Sequence, residues 1–299
     1  MLLPGSLPPD RATLKALCDG LAALPEIASR LQSATVAEYS GSWSDAEREA
    51  NGASGDLNDS LAVAHQINEV GDDAVTLAVA TPLYAALGLT DLTPVDPTTI
   101  SLSADESRAL CEAADEHMRE DGVRLHFIDA ARWSVTCNRP IDILTERPEW
   151  IIGELLRPNL PRGRDARLVE RWMNEMQMLL HSHVVNVARE ERRLPPINLA
   201  WLWAFQSPAR KLPSPQRRDA IHEEHRFAIA MRNGDLVGWQ AAWQSVSAEI
   251  LSAQTIILGD SRPRLRLTVS TPGMMDRLIA SFRRKPTLAE VLTQLQQPR

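Results

Sequence analysis

The chain of 299 residues has only three cysteines, Cys18, Cys111 and Cys137, far apart and without a CxxC pair. That argues against a disulfide framework and a cysteine zinc site and leaves them as buried thiols. No apolar run is long enough to cross a bilayer, and the opening MLLPGSLPPDRATLK has neither a basic n-region nor an apolar h-region. A soluble, cytoplasmic protein without a membrane partner is expected. Also missing are a GxSxG elbow, a Walker loop, a GxGxxG turn and an HExxH helix, so the familiar hydrolase, nucleotide and zincin classes lose their markers. The histidines form two close pairs. His181 and His183 would project to opposite sides of an extended chain, and His222 and His225 flank two glutamates in a polar segment. Neither pair brings a third positioned ligand, so no metal and no cofactor is expected, and no catalytic residue is assigned.

Positive charge is also in short supply. The net charge of −7 and a pI near 5.6 argue against indiscriminate nucleic-acid binding, which needs a cationic surface, and no helix-turn-helix is recognisable. The one basic concentration runs from 261 to 285. Within it Arg264 and Arg266 alternate with Leu265, Leu267 and Val269, the pattern of a strand with one solvated face.

Along the chain, residues 12–31 read as a helix or helical pair interrupted at Pro25, and 39–59, rich in Ser, Gly, Asp and Glu, as a flexible connection. Residues 1–60 are therefore taken as an N-terminal helical segment and linker, and 61–299 as the main domain, with a sub-boundary possible in the polar linker 206–225. A helix at 58–69 and a strand at 74–80 come next. Ser103-x-x-Glu106 suits the start of a helix running to about 119, and 123–128 with 132–137 form a hairpin. Beyond the linker, 226–231 reads as a strand, 235–253 as a helix, 255–258 with 264–269 as a second hairpin, and 273–282 and 287–295 as helices. The fold class is α+β, with mixed α/β as the other possibility: a mixed or antiparallel sheet with flanking helices.

Residues 174–205 carry the densest punctuation. Leu168, Trp172, Met176, Leu179 and Leu180 recur at helical spacing opposite Arg167, Glu170, Arg171 and Glu175. The helix breaks near His181-Ser182-His183. Asn186 is placed to cap a second helix over 187–193, and Leu194-Pro195-Pro196 ends it. The strand 198–205 follows, apolar on both faces apart from Asn198 and so covered on both sides. Trp172, Trp201, Trp203, Trp239 and Trp243 are expected in a shared core, and Asn174, Glu175 and Gln177 on an exposed or interface edge of the first helix. His183, Asn186 and Arg189, spaced by three with Glu190 and Asn198 nearby, could bind a carboxylate or phosphate. The heavier alternative is structural: Asn186 as a helix cap, Arg189 paired with Glu175 or Glu190, and His183 bonded to a buried carbonyl.

The run N-E-x-Q-M-L-L-x-x-H-x-x-N-x-x-R-E followed by L-P-x-x-N-x-x-W-L-W resembles the RpfE-type regulatory proteins, a proteobacterial family often labelled as cofactor-independent phosphoglycerate mutases. Archaeal-type mutases carry a similar H-P-x-N-x-x-R followed by P-x-N. Asp105-Glu106-Ser107, Asp121-Gly122, Arg132-Trp133 and the run 258–295 add to the resemblance. The chain departs from the family at Val184, where Pro is usual, and at Ala204-Phe205-Gln206, which replaces a glycine-rich turn. The resemblance implies a non-catalytic regulatory protein on a degenerate mutase-related scaffold, with a protein partner. The alternative it implies is a mutase-like enzyme acting on a phosphorylated glycolytic acid. That enzyme would use Mn or Mg, with His183, Asn186 and Arg189 in a phosphate site and Arg264 to Arg266 assisting.

Overall fold

The computed structural model describes residues 1–7, 13–15, 24–43, 45–46, 75–206, 226–260, 263–269 and 287–295. The helices expected at 58–69 and 273–282, the linker after residue 206 and the His222/His225 pair lie outside the described residues. In chain order the elements begin with β1 (Leu2–Leu3), α1 (Pro25–Gln32) and β2 (Thr35–Glu38). Then come β3 (Thr76–Leu83), β4 (Ala85–Leu87), β5 (Leu92–Pro94), α2 (Ala104–Met118), β6 (Val123–Asp129) and β7 (Arg132–Cys137). The short α3 (Pro148–Ile151), α4 (Ala166–His181), α5 (Val184–Glu191) and β8 (Leu199–Gln206) follow. The last are α6 (Arg226–Asn233), α7 (Leu236–Ser245), α8 (Ser247–Ser252), β9 (Thr255–Gly259), β10 (Pro263–Thr268) and α9 (Leu288–Leu295). This is a mixed α/β fold with helices flanking antiparallel and mixed sheets. Among the described residues no helix is long and apolar enough to cross a membrane.

The chain forms two compact units, Met1–Ala50 with Asp219–Arg299, and Asn51–Arg218. In the first, β1, β9, β10 and β2 make one sheet, with β1 parallel to β9 and the other pairs antiparallel. The β9–β10 hairpin is the one expected from sequence. Strands β1 and β2 were not, because two to four residues are too few to show a period. Phe227, Trp239 and Trp243 pack edge to face at the heart of this unit, and the Trp239 indole N–H donates to the Gly5 carbonyl at 2.8 Å.

Residues 226–231 are helical, contrary to the expected strand. Phe227, Ile229 and Met231 alternate with small or polar residues. In the helix Phe227 and Ala230, three apart, are buried, and Ile229 is left 45% exposed. An alternation containing alanine satisfies either period. The long helix expected at 235–253 breaks at Val246 into α7 and α8.

In the second unit β6, β7, β3 and β8 form a wholly antiparallel sheet in that order. One face is covered by α2, whose Leu110, Cys111, Ala114 and Met118 are buried, and core contributions also come from Val169, Trp172, Met176 and Leu180 of α4. The start of α2 is the capping box read from sequence, with Ser103 and Glu106 each bonding the other's backbone N–H. Ser107 then accepts the Trp133 indole N–H at 2.9 Å, tying α2 to the sheet.

Strand β8 carries one residue too many against β3. Val79 pairs with Trp203 but Leu77 with Gln206, so the extra residue forms a bulge. Ala204, buried at that bulge, has φ +56°, a left-handed conformation more often given to glycine. The run Ala204-Phe205-Gln206 stands here in place of the expected glycine-rich turn. Ala204→Val should therefore lower stability by roughly 1–3 kcal/mol, while Ala204→Gly stays near neutral because relief of strain offsets the lost methyl. Urea unfolding of the two variants checks this.

Candidate functional site

Helix α4 ends at His181, and one residue later the chain turns into α5. The residue that caps α5 is His183, whose Nδ1 accepts the Val185 N–H at 3.2 Å. Asn186 is not the cap. The turn is tighter than the sequence reading allowed, and Asn186 falls inside the first turn of α5. His183 thus accepts from a backbone N–H, and among the described residues it donates to no buried carbonyl. Burial of its imidazole holds its pKa below the usual 6.5.

Asn186 faces inward and is 3% exposed. Its amide donates to the carbonyls of Leu180 at 2.7 Å and Ile197 at 2.8 Å, and its oxygen accepts the Ile197 N–H at 2.8 Å. One side chain thereby joins the last turn of α4 to the segment that leads into β8. Asn198 repeats the device one step on. Its amide exchanges two hydrogen bonds with the backbone of Ala85, at 2.7 and 2.9 Å, while its own N–H reaches the Leu83 carbonyl at 3.1 Å.

Arg189 lies on the same side of α5 as Asn186 and is fully buried. Its Nε donates to the Pro195 carbonyl at 2.9 Å, Nη2 to the Ile100 carbonyl, and Nη1 to Glu106 Oε2 at 2.9 Å and to the Ser101 carbonyl at 3.5 Å. The expected partners are corrected: Glu175 pairs with Arg171 at 3.4 Å, Glu190 is exposed, and the carboxylate that meets Arg189 comes from α2. Glu106 also caps α2 and pairs with the exposed Arg192. Burial pushes its pKa up, but the Ser103 N–H, Arg192 and Arg189 outweigh this and hold it below the usual 4.5. Sequence reasoning had Glu106 only as a cap and as part of the family resemblance. Nothing local to it announces Arg189.

The guanidinium is closed to solvent and its hydrogen bonds end on protein oxygens, so a phosphate cannot meet it in this arrangement. The remaining residues are dispersed. Asn174 is exposed on α4, and Glu175 and Gln177 are half-buried there. Trp172, Trp201 and Trp203 belong to the core of one unit and Trp239 and Trp243 to the core of the other, so the five do not share a core; helix and strand periods show that a tryptophan is buried, not in which unit. Arg264 pairs with Asp260, and Arg266 lies over the Tyr39 ring at 4.9 Å. Burial pushes the Cys137 thiol up to about 12 and the Cys111 thiol further, which leaves both unreactive. Among the described residues no three His, Cys, Asp or Glu side chains converge as a metal site would need.

No family model matches the chain. A stretch of 72 residues, 24% of the chain, is 38% identical to the 2,3-bisphosphoglycerate-independent phosphoglycerate mutase of Methanothrix thermoacetophila and spans 18% of that protein. Another of 104 residues, 34% of the chain, is 27% identical to the enzyme of the same name from Methanosarcina mazei and spans 26% of it. Part of the chain is thus similar in sequence to phosphoglycerate mutases of this name, and it spans about a fifth to a quarter of their length. Among solved structures, the cofactor-independent phosphoglycerate mutase from Thermoplasma acidophilum superposes with a TM-score of 0.38 and 12% identity, covering 97% of both chains. The PH0037 protein from Pyrococcus horikoshii gives 0.35 and 9%, covering 69% of this chain and 50% of its own.

Arg189→Ala should destabilise the protein by roughly 3–5 kcal/mol, because it strands buried carbonyls and removes a charge partner of Glu106. Denaturant unfolding tests this. Because the folded Glu106 pKa is depressed, its contribution is fully present above the unfolded value and is lost as pH falls below about 4.5 and through the folded pKa. Glu106→Gln should therefore be less stable than the parent at pH 7 and should flatten the acid limb of stability against pH.

Proposed function

We propose that this protein is a phosphoglycerate-mutase-related protein acting on a small phosphorylated acid, in the manner of the mutases to which part of it is related. The single observation supporting this is the local identity of 38% with a named mutase. The geometry adds a restriction. Asn186, Arg189 and Asn198 are engaged in internal hydrogen bonds, so on this reading the phosphate is held by other groups. On this reading Mn or Mg serves as the cofactor.

A second reading has its own supporting observation. Among the side chains that carry the resemblance to RpfE-type regulatory proteins, His183, Asn186, Arg189 and Asn198 are engaged in internal hydrogen bonds, as scaffolding residues are, and a related scaffold can persist without its chemistry. On that reading the protein is a non-catalytic regulator with a protein partner.

The test is interconversion of 3- and 2-phosphoglycerate by the purified protein with Mn or Mg, alongside thermal unfolding with and without 3-phosphoglycerate. The enzyme reading expects turnover above the blank and a raised unfolding temperature. Absence of both selects the regulator. Arg189→Ala is unsuited to this purpose, since its loss of activity would report unfolding.

A further inference from the structure

Strand β6 is the outer strand of its sheet, paired with β7 on one side and with no strand on the other among the described residues. The Asn138 N–H reaches the Gly122 carbonyl at 3.1 Å, whereas the Leu125 N–H is taken by Asp115 at 2.9 Å. Alternation along the strand then turns Val123, Leu125 and Phe127 toward the open edge. Among the described residues the Leu125 carbonyl and both backbone groups of Phe127 have no strand to bond. A groove of about 470 Å³ runs beside them, between β6 and α2, with Leu125, His126 and Phe127 on one side and Arg108, Glu112 and Glu116 on the other.

The charges of the groove are only partly matched. Asp115 is held by Arg124 at 2.8 Å and Arg119 at 3.2 Å, and Arg108 lies over the Phe127 ring at 4.0 Å. Glu112 and Glu116 are exposed on the same helix, and neither forms an ion pair among the described residues. They stand one turn apart, about 6 Å along the axis. Side chains on one face of a strand repeat at about 6.5–7 Å, so two basic residues at alternate positions of an added strand can each meet a glutamate.

We propose that the β6 edge binds a short extended segment of a partner protein carrying Lys or Arg at alternate positions. The segment adds a fifth strand to the sheet by bonding the Leu125 carbonyl and the Phe127 backbone, and places its cations on Glu112 and Glu116. Because Asp115 already occupies the Leu125 N–H, pairing stops after a few residues. The same plug keeps the edge from templating longer, unselective pairing.

A fluorescein-labelled Lys-Val-Lys-Val-Lys peptide tests this by anisotropy, with Glu-Val-Glu-Val-Glu as the charge-reversed control. Saturable binding of the basic peptide alone is expected, weakened roughly fivefold or more by Glu112→Gln with Glu116→Gln, and by high salt. Glu190→Gln with Glu191→Gln, exposed on another helix, should leave the affinity within about twofold, because those charges lie outside the groove. Hydrogen exchange at the Phe127 amide should slow when the peptide binds. Equal loss in the two double variants, no protection of Phe127, no binding at all, or self-association that shields Phe127 without peptide would each overturn the proposal.

Discussion

The unit of residues 51–218 depends on a cation held out of water. Burying a guanidinium is tolerable only when its hydrogen bonds are met and an opposite charge stands close. Arg189 meets both conditions by drawing on three separate parts of the chain: the carbonyls of Ile100 and Ser101 before α2, the carboxylate of Glu106 on α2, and the Pro195 carbonyl beyond α5. None of these groups can be placed without the others. The corner from α4 to α5, the start of α2 and the approach to β8 are therefore fixed together, and Asn186 braces the same corner by bonding the Leu180 and Ile197 carbonyls.

Much of this unit was legible in the sequence, because it is written in local chemistry. The capping box at Ser103, the apolar stripe of α4, the hairpin of β6 and β7 and the two covered faces of β8 all follow from spacing within a few residues. What was not legible is long-range. The partner of Arg189 lies 83 residues upstream, and nothing near either residue names the other. The cap of α5 was missed by three residues, since His183 and Asn186 can each accept a backbone N–H and only the sharpness of the turn decides between them. Burial of the tryptophans was readable from helix and strand periods, while their division between two cores depends on how the ends of the chain meet.

His183, Asn186, Arg189 and Asn198, all within the run from Asn174 to Trp203, hold backbone segments together. Such residues travel with a scaffold whatever chemistry the scaffold hosts. In this chain they account for the fold of the corner between α4 and β8, and by themselves they assign no chemistry.

Asn198 carries a further consequence. Its side-chain amide stands in for a peptide group, exchanging bonds with Ala85 while its backbone reaches Leu83, so three bonds hold the chain on both sides of Tyr84. That clamp sets the reading frame of the small β4–β5 hairpin. A residue inserted at Tyr84 would shift the frame and forfeit the clamp, whereas one inserted at the exposed tip near Leu89 would leave it untouched. Evolution can lengthen this hairpin outward, and its root is closed to the same change.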